Sequence, residues 1–140
     1  MAIVLTCHKG IGPTVRGKAL VADDNFSARY DLDRLAGVFS RPQHKLFGQS
    51  YVDVVLVLVT AKGGVASAWM LHEMKARGLA PKAILFDRTN TILAQGAAFA
   101  DMALVDRFDG GPPTTPIRTG EELLVEPSEG RVTILDRDAD

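Results

Sequence analysis

The stretch VDVVLVLVTAKGGVASAWMLHEMKARG, residues 52–78, joins an apolar run to a more mixed run through a glycine corner. Its first part, 52–60, is rich in β-branched residues and predicts a strand that is buried on both faces. Residues 65–77 fit a helix that Gly78 ends and that Pro81 follows closely. A buried strand that turns directly into a helix is typical of a parallel α/β sheet.

The segments on either side extend this pattern into a complete domain. Two apolar segments downstream predict further parallel strands, with a short helix between them. Strand-like segments at both ends of the chain, including a hairpin around a Pro-Ser-Glu-Gly turn, predict an antiparallel second layer. With right-handed crossovers, this is an α/β domain with β/β/α layering. The predicted segments are GKALVA (17–22), KAILFD (82–87), TILAQGAAFADM (91–102), ALVDRF (103–108) and ELLVEPSEGRVTIL (122–135).

Two remaining segments are predicted to be irregular. Residues 23–50 are rich in turn formers and charge, and loops of this length are more often functional than idle. The tail, 136–140, is predicted to be mobile.

Composition excludes several classes of protein. The chain has 140 residues and is 46% hydrophobic, which is enough for one domain, 1–140, with a real core. It contains no apolar run long enough to span a membrane, and its first residues do not resemble a signal peptide. Its single cysteine suits a reducing compartment, and a net charge of −1 with scattered basic residues argues against nucleic acid. We therefore predict a cytoplasmic domain that binds neither nucleic acid nor membranes.

The glycine corner is a candidate binding site. The first N–H groups of a helix lack partners within the helix, and the helix dipole is positive there. Glycines allow a ligand to approach the main chain, so a carboxylate or phosphate could bind at this strand end. Alternatively, Gly63 and Gly64 only form a tight turn and Ser67 lies in the first helical turn. The residues alone leave both interpretations open.

The segment GGVASAWML resembles part of the phosphohistidine swivelling domains of phosphoenolpyruvate-using enzymes. Their signature continues with a histidine after the serine, and Ala68 occupies that place here. Alanine cannot accept a phosphoryl group, and His8, His44 and His72 lie elsewhere. We therefore do not expect this corner to carry a phosphoryl group.

A broader resemblance covers roughly residues 15–135. The ordered set of motifs resembles the small, swivelling-domain subunit of aconitase X-type hydro-lyases. The motifs that carry it are GKALV (17–21), FSARYD (26–31), HKLFGQS (44–50), MLHEMKARGLAPKAIL (70–85), ILAQGAA (92–98) and TGEELLVEPSEGRVTI (119–134).

This resemblance implies a function. The family dehydrates small hydroxy acids, and its members include phosphomevalonate dehydratase and cis-3-hydroxyproline dehydratase. A large subunit holds an iron–sulfur cluster through cysteines, and the small subunit closes over it with a proton-accepting serine. One cysteine cannot hold such a cluster. We therefore expect a dehydratase subunit that binds no metal itself and is active only with a large subunit, on an unidentified hydroxy acid.

The corner departs from the family at the position of the base. Aligned without gaps, Gly64 stands where the family has its proton-accepting serine. The family's last serine falls on Ala68, and Ser67, one position earlier, keeps a hydroxyl. A proton acceptor needs such a heteroatom. Ser67 is therefore the candidate catalytic residue, with Gly63 and Gly64 as candidate substrate-binding positions.

Four further substrate-binding candidates lie in the long loop. Ser27 and Asp31 match a family segment that is two residues longer, and His44 matches a family position. Arg29 is new, and a guanidinium there would suit a carboxylate, although it could equally be a surface residue paired with an acidic neighbour. Arg41 is a weaker candidate of the same kind.

The missing family residues also support an alternative function. A swivelling-domain protein without the base serine at Gly64 and without a histidine at Ala68 could bind a small carboxylate or a protein partner without catalysis.

Overall fold

A computed structural model describes residues 2–135. The order of its elements alternates strands and helices only in the middle of the chain. The strands are β1 (Ile3–Thr6), β2 (Val15–Val21), β3 (Leu32–Asp33), β4 (Val38–Phe39), β5 (Val55–Thr60), β6 (Ala83–Arg88), β7 (Ala103–Val105), β8 (Glu122–Glu126) and β9 (Arg131–Ile134), and the helices are α1 (Val65–Ala76) and α2 (Thr91–Phe99). The predicted tail, 136–140, lies outside the described residues.

Seven strands form one mixed sheet in the order β1-β9-β8-β2-β5-β6-β7. Strand β2 is shared between two kinds of pairing. Its first residues, 15–18, pair antiparallel with β8, and the next three, 19–21, pair parallel with β5. The predicted α/β class with a parallel sheet and antiparallel strands is confirmed, and the two parts are one continuous sheet.

The sheet curls until the chain after β1 reaches the opposite edge. Ile11 and Leu104 exchange two backbone hydrogen bonds of 2.9 Å, and Cys7 forms an isolated bridge with Phe108. The antiparallel half therefore lies across the parallel half. A core of side chains fills the space between them.

Burial on both faces explains the continuous apolar run of β5. Val55 and Val57 point into the core between the two halves of the sheet. Leu56 and Leu58 point into a second core, which includes Leu71 of α1. Because successive side chains of a strand face opposite ways, a strand between two cores must be apolar throughout.

The predicted boundaries of two strands are wrong at one end. The run at 52–60 becomes a strand only at Val55, because Asp53 takes a left-handed conformation with φ of 59°. The strand predicted at 103–108 ends at Val105, and Arg107 has φ of 58°. Such backbone does not continue a strand.

The long segment 23–50 is folded against the ends of the parallel strands. Its centre contains the short antiparallel pair β3 and β4. Near its start, Phe26 accepts from Lys62 N–H at 2.8 Å and donates its own N–H to Thr60 O at 2.9 Å. These bonds place residues 25–31 beside the glycine corner.

Helices α1 and α2 touch at a glycine. A Cβ atom built on Gly96 of α2 would lie 2.6 Å from Ala68 Cα of α1. No real Cβ comes so close to backbone, so α2 can pack here only with glycine.

We predict that Gly96→Ala destabilises the protein although alanine favours helices. The gain in helix propensity is about 1 kcal/mol, whereas overpacking of a core typically costs about 1–3 kcal/mol and here forces backbone apart. Because the methyl meets backbone, we expect the upper end of that cost and a net loss of about 2 kcal/mol in urea unfolding. Gly110→Ala is the control, because a methyl there meets open space. Equal stability of the two variants would contradict the close packing of the helices.

Candidate functional site at the glycine corner

The corner between β5 and α1 presents free backbone N–H groups. Gly64 is the N-cap residue of α1, and no side chain caps this end of the helix. The first turn carries no acidic residue that would offset the positive end of the dipole. The start of α1 is therefore able to attract an anion.

Gly63 and Gly64 have different roles in this corner. Gly63 has φ of +108°, and a Cβ built on it would lie 2.3 Å from Ser67 Oγ. Only glycine fits there. Gly64 has φ of −123°, and a Cβ built on it meets nothing within 4 Å. Ser67 is thus buried beneath Gly63, with 2% exposure, whereas Gly64 faces open space.

The corner is tied to the next helix by an asparagine. Asn90 Oδ1 accepts from Leu93 N–H at 2.7 Å and caps α2. Its amide nitrogen donates to Gly63 O at 3.4 Å. The beginnings of α1 and α2 are therefore held side by side.

The loop at 25–31 supplies a hydroxyl and a carboxylate. Asp31 Oδ2 accepts from Ser27 N–H at 2.8 Å, and Ser27 Oγ accepts from Tyr30 N–H at 3.3 Å. Arg41 Nε lies 2.7 Å from Asp31 Oδ1. Asp31 is only 3% exposed, so these partners compensate a charge that would be costly to bury alone.

His44 is buried behind this loop. Its Nδ1 accepts from Leu46 N–H at 3.0 Å, and its Nε2 donates to Asn25 O at 2.7 Å. The ring also stacks on Phe39, with 4.7 Å between the centroids. These bonds assign the neutral tautomer with the proton on Nε2. Because both ring nitrogens already have partners, His44 supports the loop from behind and does not face the cleft.

These elements surround an open cleft of about 470 Å³. Two cations, Arg41 and Lys62, and one carboxylate, Asp31, line it. The cleft therefore has a surplus of positive charge, and the start of α1 adds to it. Its lining consists of Asn25, Ser27, Tyr30, Asp31, Arg41, Lys62 and Gly63.

The structure brings some of the sequence-predicted residues together and separates others. Ser27, Asp31 and Gly63 share the cleft. Arg29 does not line it: its guanidinium lies 5.2 Å from the centroid of the exposed Tyr30 ring. The guanidinium that reaches the cleft belongs to Arg41, the weaker sequence candidate.

Sequence reasoning missed three residues of the cleft: Asn25, Tyr30 and Lys62. Lys62 carried a usable signal, since it directly precedes the glycines at the carboxyl end of a strand. Asn25 carried none, because its role depends on distant partners: Thr60 Oγ1 donates to its side-chain oxygen, and His44 donates to its carbonyl.

The described residues do not fit a metal cluster. Within residues 2–135, no group of three or more histidine, cysteine, aspartate or glutamate side chains could hold a metal ion. Burial, together with the charges of Asp106 and Asp109, raises the pKa of the Cys7 thiol to about 11. Cluster ligation needs a thiolate, so Cys7 is a poor ligand.

Comparison with known proteins identifies the family. The family model described as the aconitase X swivel domain matches residues 4–134. The chain belongs to the aconitase X swivel-domain family. The resemblance predicted from the ordered motifs is therefore confirmed.

Individual relatives agree with this assignment. The chain is 32% identical over 127 residues to a phosphomevalonate dehydratase small subunit of Thermococcus sibiricus, covering 91% of this chain and 95% of that protein. It is 34% identical over 103 residues to the corresponding subunit of Methanothrix thermoacetophila, covering 74% and 75%. A crystal structure of Thermococcus kodakaraensis aconitase X in its holo form matches with a TM-score of 0.88 at 28% identity, covering 96% of this chain and 99% of that chain.

Along residues 2–135, neither helix is long and apolar enough to cross a membrane.

The cleft loop is also anchored by Asp24. Its Oδ1 accepts from Asn25 N–H at 2.8 Å, and its Oδ2 accepts from Lys45 N–H at 3.1 Å. Desolvation alone would raise the pKa of Asp24, but these backbone bonds, with the nearby Arg41 guanidinium, hold it below the ordinary value of 3.8. The ionised carboxylate therefore connects the start of the segment 23–50 to its later part at Lys45.

We predict that Asp24→Asn lowers the free energy of unfolding by about 1–2 kcal/mol at pH 7, as expected for lost hydrogen bonds to a charged group. A lowered folded-state pKa gives stability that is present above the unfolded-state pKa and is lost as the pH falls through the folded one. The difference between wild type and variant should therefore shrink below about pH 4. Urea unfolding at pH 7, 5 and 3 measures this. Asp23→Asn is the control, because that side chain is 81% exposed. A difference that stays constant down to pH 3 would contradict the anchoring role of the charge.

Proposed function

We propose that this chain is the small subunit of a heteromeric aconitase X-type dehydratase, which removes water from a small hydroxy acid together with a large subunit. The observation that carries the proposal is the positively charged cleft at the carboxyl ends of the parallel strands, in a chain of this family. The names of the relatives, which are dehydratase small subunits, support it.

The cleft supplies groups that suit the acid end of the substrate. The N–H groups at the start of α1 and the ammonium of Lys62 can bind a carboxylate or a phosphate. Ser27 Oγ and the Asn25 side chain border the same space. In this proposal, Arg41 holds Asp31 in place, and His44 and Asp24 support the loop from behind.

The proton acceptor is assigned to Ser67. Removal of a proton next to a carboxylate requires a heteroatom within hydrogen-bond reach of the substrate C–H. Gly64 has none. Because Ser67 lies beneath Gly63, the assignment requires the corner to move when substrate binds, and two adjacent glycines make such a movement easy.

The iron–sulfur cluster of the family is assigned to the large subunit. The buried, protonated Cys7 does not fit a cluster ligand, so this chain contributes the acid-binding groups and the base. The cleft is open to solvent in this chain, and in this proposal the large subunit closes it. Relatives named for phosphomevalonate make phosphorylated hydroxy acids the first substrates to test.

A second candidate function is a non-catalytic swivelling domain that binds a small carboxylate. Two observations favour it: Gly64 lacks a hydroxyl at the exposed position of the corner, and Ser67 is buried. The two candidates differ in whether the hydroxyl of Ser67 is needed for turnover.

We predict that Ser67→Ala lowers kcat of the assembled enzyme at least about a hundredfold, because general-base catalysis contributes about 10²–10⁴. The KM should change little, since the acid-binding groups remain. Steady-state dehydration kinetics of the complex measure both quantities. Ser128→Ala, an exposed serine in the β8–β9 turn, is the control and should keep full activity. An unchanged kcat in Ser67→Ala would exclude Ser67 as the base, and an absence of turnover in the wild-type complex would favour the non-catalytic function.

We further predict that co-expression with the cysteine-containing large subunit of the same organism gives an equimolar complex that contains iron. Neither subunit alone should dehydrate hydroxy acids. Size exclusion, iron analysis and an assay for water loss from phosphorylated and unphosphorylated hydroxy acids test this. A wild-type chain that stays alone and iron-free beside a folded large subunit would refute the subunit assignment.

A further inference from the structure

We propose that the large subunit docks on an exposed aromatic face formed by α1 and α2. This inference rests on the proposed function, because it gives that function's partner a place on the surface. The aromatic face consists of Val65, Trp69 and His72 on α1 and Ile92, Gln95 and Phe99 on α2.

The aromatic face exposes side chains that folded proteins normally bury. Trp69 is 67% exposed, Phe99 is 81% exposed and Val65 is 63% exposed. The Trp69 and Phe99 rings are nearly parallel, with an angle of 12° and 6.5 Å between centroids. Contiguous apolar surface of this kind marks interaction sites. The two rings pack against each other in the chain without a partner, and such packing lowers the entropic cost of binding.

A groove of about 110 Å³ runs between the two helices in this face. Its floor is formed by Ala68 and Gly96, where the helices touch. In the described part of the chain, its lining includes no lysine, arginine, aspartate or glutamate. An uncharged, aromatic lining is typical of the buried centre of a protein interface, whereas a membrane-binding helix would carry basic residues around it.

The position of the aromatic face selects the large subunit as its occupant. Val65 directly follows the Gly63–Gly64 corner, and Ile92 lies two residues after Asn90, which binds Gly63 O. A body that closes the cleft therefore lies beside this end of the face and can extend over it. Relatives that match this chain over nearly their whole length are named small subunits, so each has a partner that can provide that cover.

The single tryptophan of the chain allows a direct test. The small subunit is labelled with 5-fluorotryptophan, and unlabelled large subunit is added until size exclusion shows the complex. We expect the fluorine resonance of Trp69 to shift and its solvent isotope shift to fall, since the ring becomes buried. An unchanged resonance in the formed complex would overturn the inference.

A matched pair of variants tests the energetic contribution. Phe99→Asp should weaken binding of the large subunit at least about tenfold, as expected for a central interface residue. Leu35→Asp is the control: Leu35 is 75% exposed. Leu35 lies in the β3–β4 turn. Gly37 of the same turn is near Leu79, which follows the C-terminal end of α1, whereas the aromatic face begins at the N-terminal end of that helix. Circular dichroism and thermal unfolding check that both variants fold.

The outcomes separate this inference from the proposed function. If wild type forms no complex with the large subunit, the proposed function fails together with the inference. If wild type and Phe99→Asp bind the large subunit equally well, only the docking surface is refuted. If instead wild type self-associates and Phe99→Asp is monomeric, the aromatic face joins two copies of this chain, which also overturns the inference.

Discussion

The pairing of β2 is the constraint on which the rest of the molecule depends. One strand of seven residues pairs antiparallel with β8 through its first half and parallel with β5 through its second. Ala19 faces the core between the two halves of the sheet, and Leu20 faces the helices. A slip of one residue would exchange these faces, so burial on both sides sets the register. That register fixes where β5 ends and therefore where the glycine corner lies.

The cleft depends on a balance of buried charge. The Asp31 side chain is only 3% exposed, and Arg41 and the N–H of Ser27 bind its two carboxylate oxygens. Arg41 forms an ion pair with Asp31. The positive charge that remains for a ligand is therefore that of Lys62 and of the start of α1. The proposed preference of the cleft for an acid therefore has a structural origin: the contacts that stabilise the loop also leave the cleft with a net positive charge.

Local patterns predicted most of the fold. The strand at 52–60, the helix at 65–77 and the hairpin at 122–135 were predicted from residue type and spacing within short windows. The structure contains all three, as β5, α1 and the β8–β9 hairpin, with slightly shorter bounds. Strand ends at Asp53 and Arg107 were missed because left-handed backbone at non-glycine residues leaves no clear signal. The cleft was only half predictable: Ser27 and Asp31 came from the family pattern and Gly63 from the glycine corner, whereas Asn25 and Arg41 owe their place to contacts between distant segments. His44 also matches the family pattern, but both nitrogens of its ring form hydrogen bonds with backbone groups, and the ring does not line the cleft.

The two glycines separate binding from catalysis in this chain. Gly63 leaves room for the Ser67 hydroxyl beneath the corner, and Gly64 leaves the exposed position without a side chain. The corner can therefore bind an anion through backbone groups alone, with no movement. A proton transfer that uses Ser67 requires the corner to open, and the energy for that opening has to come from the substrate or from the partner that closes the cleft. The aromatic face begins at Val65, directly after the two glycines. A large subunit that binds this face therefore contacts the residue next to the glycine corner. Under the two proposals, docking and the exposure of Ser67 become one coupled step, and the small subunit without its partner would have a binding site but no accessible base.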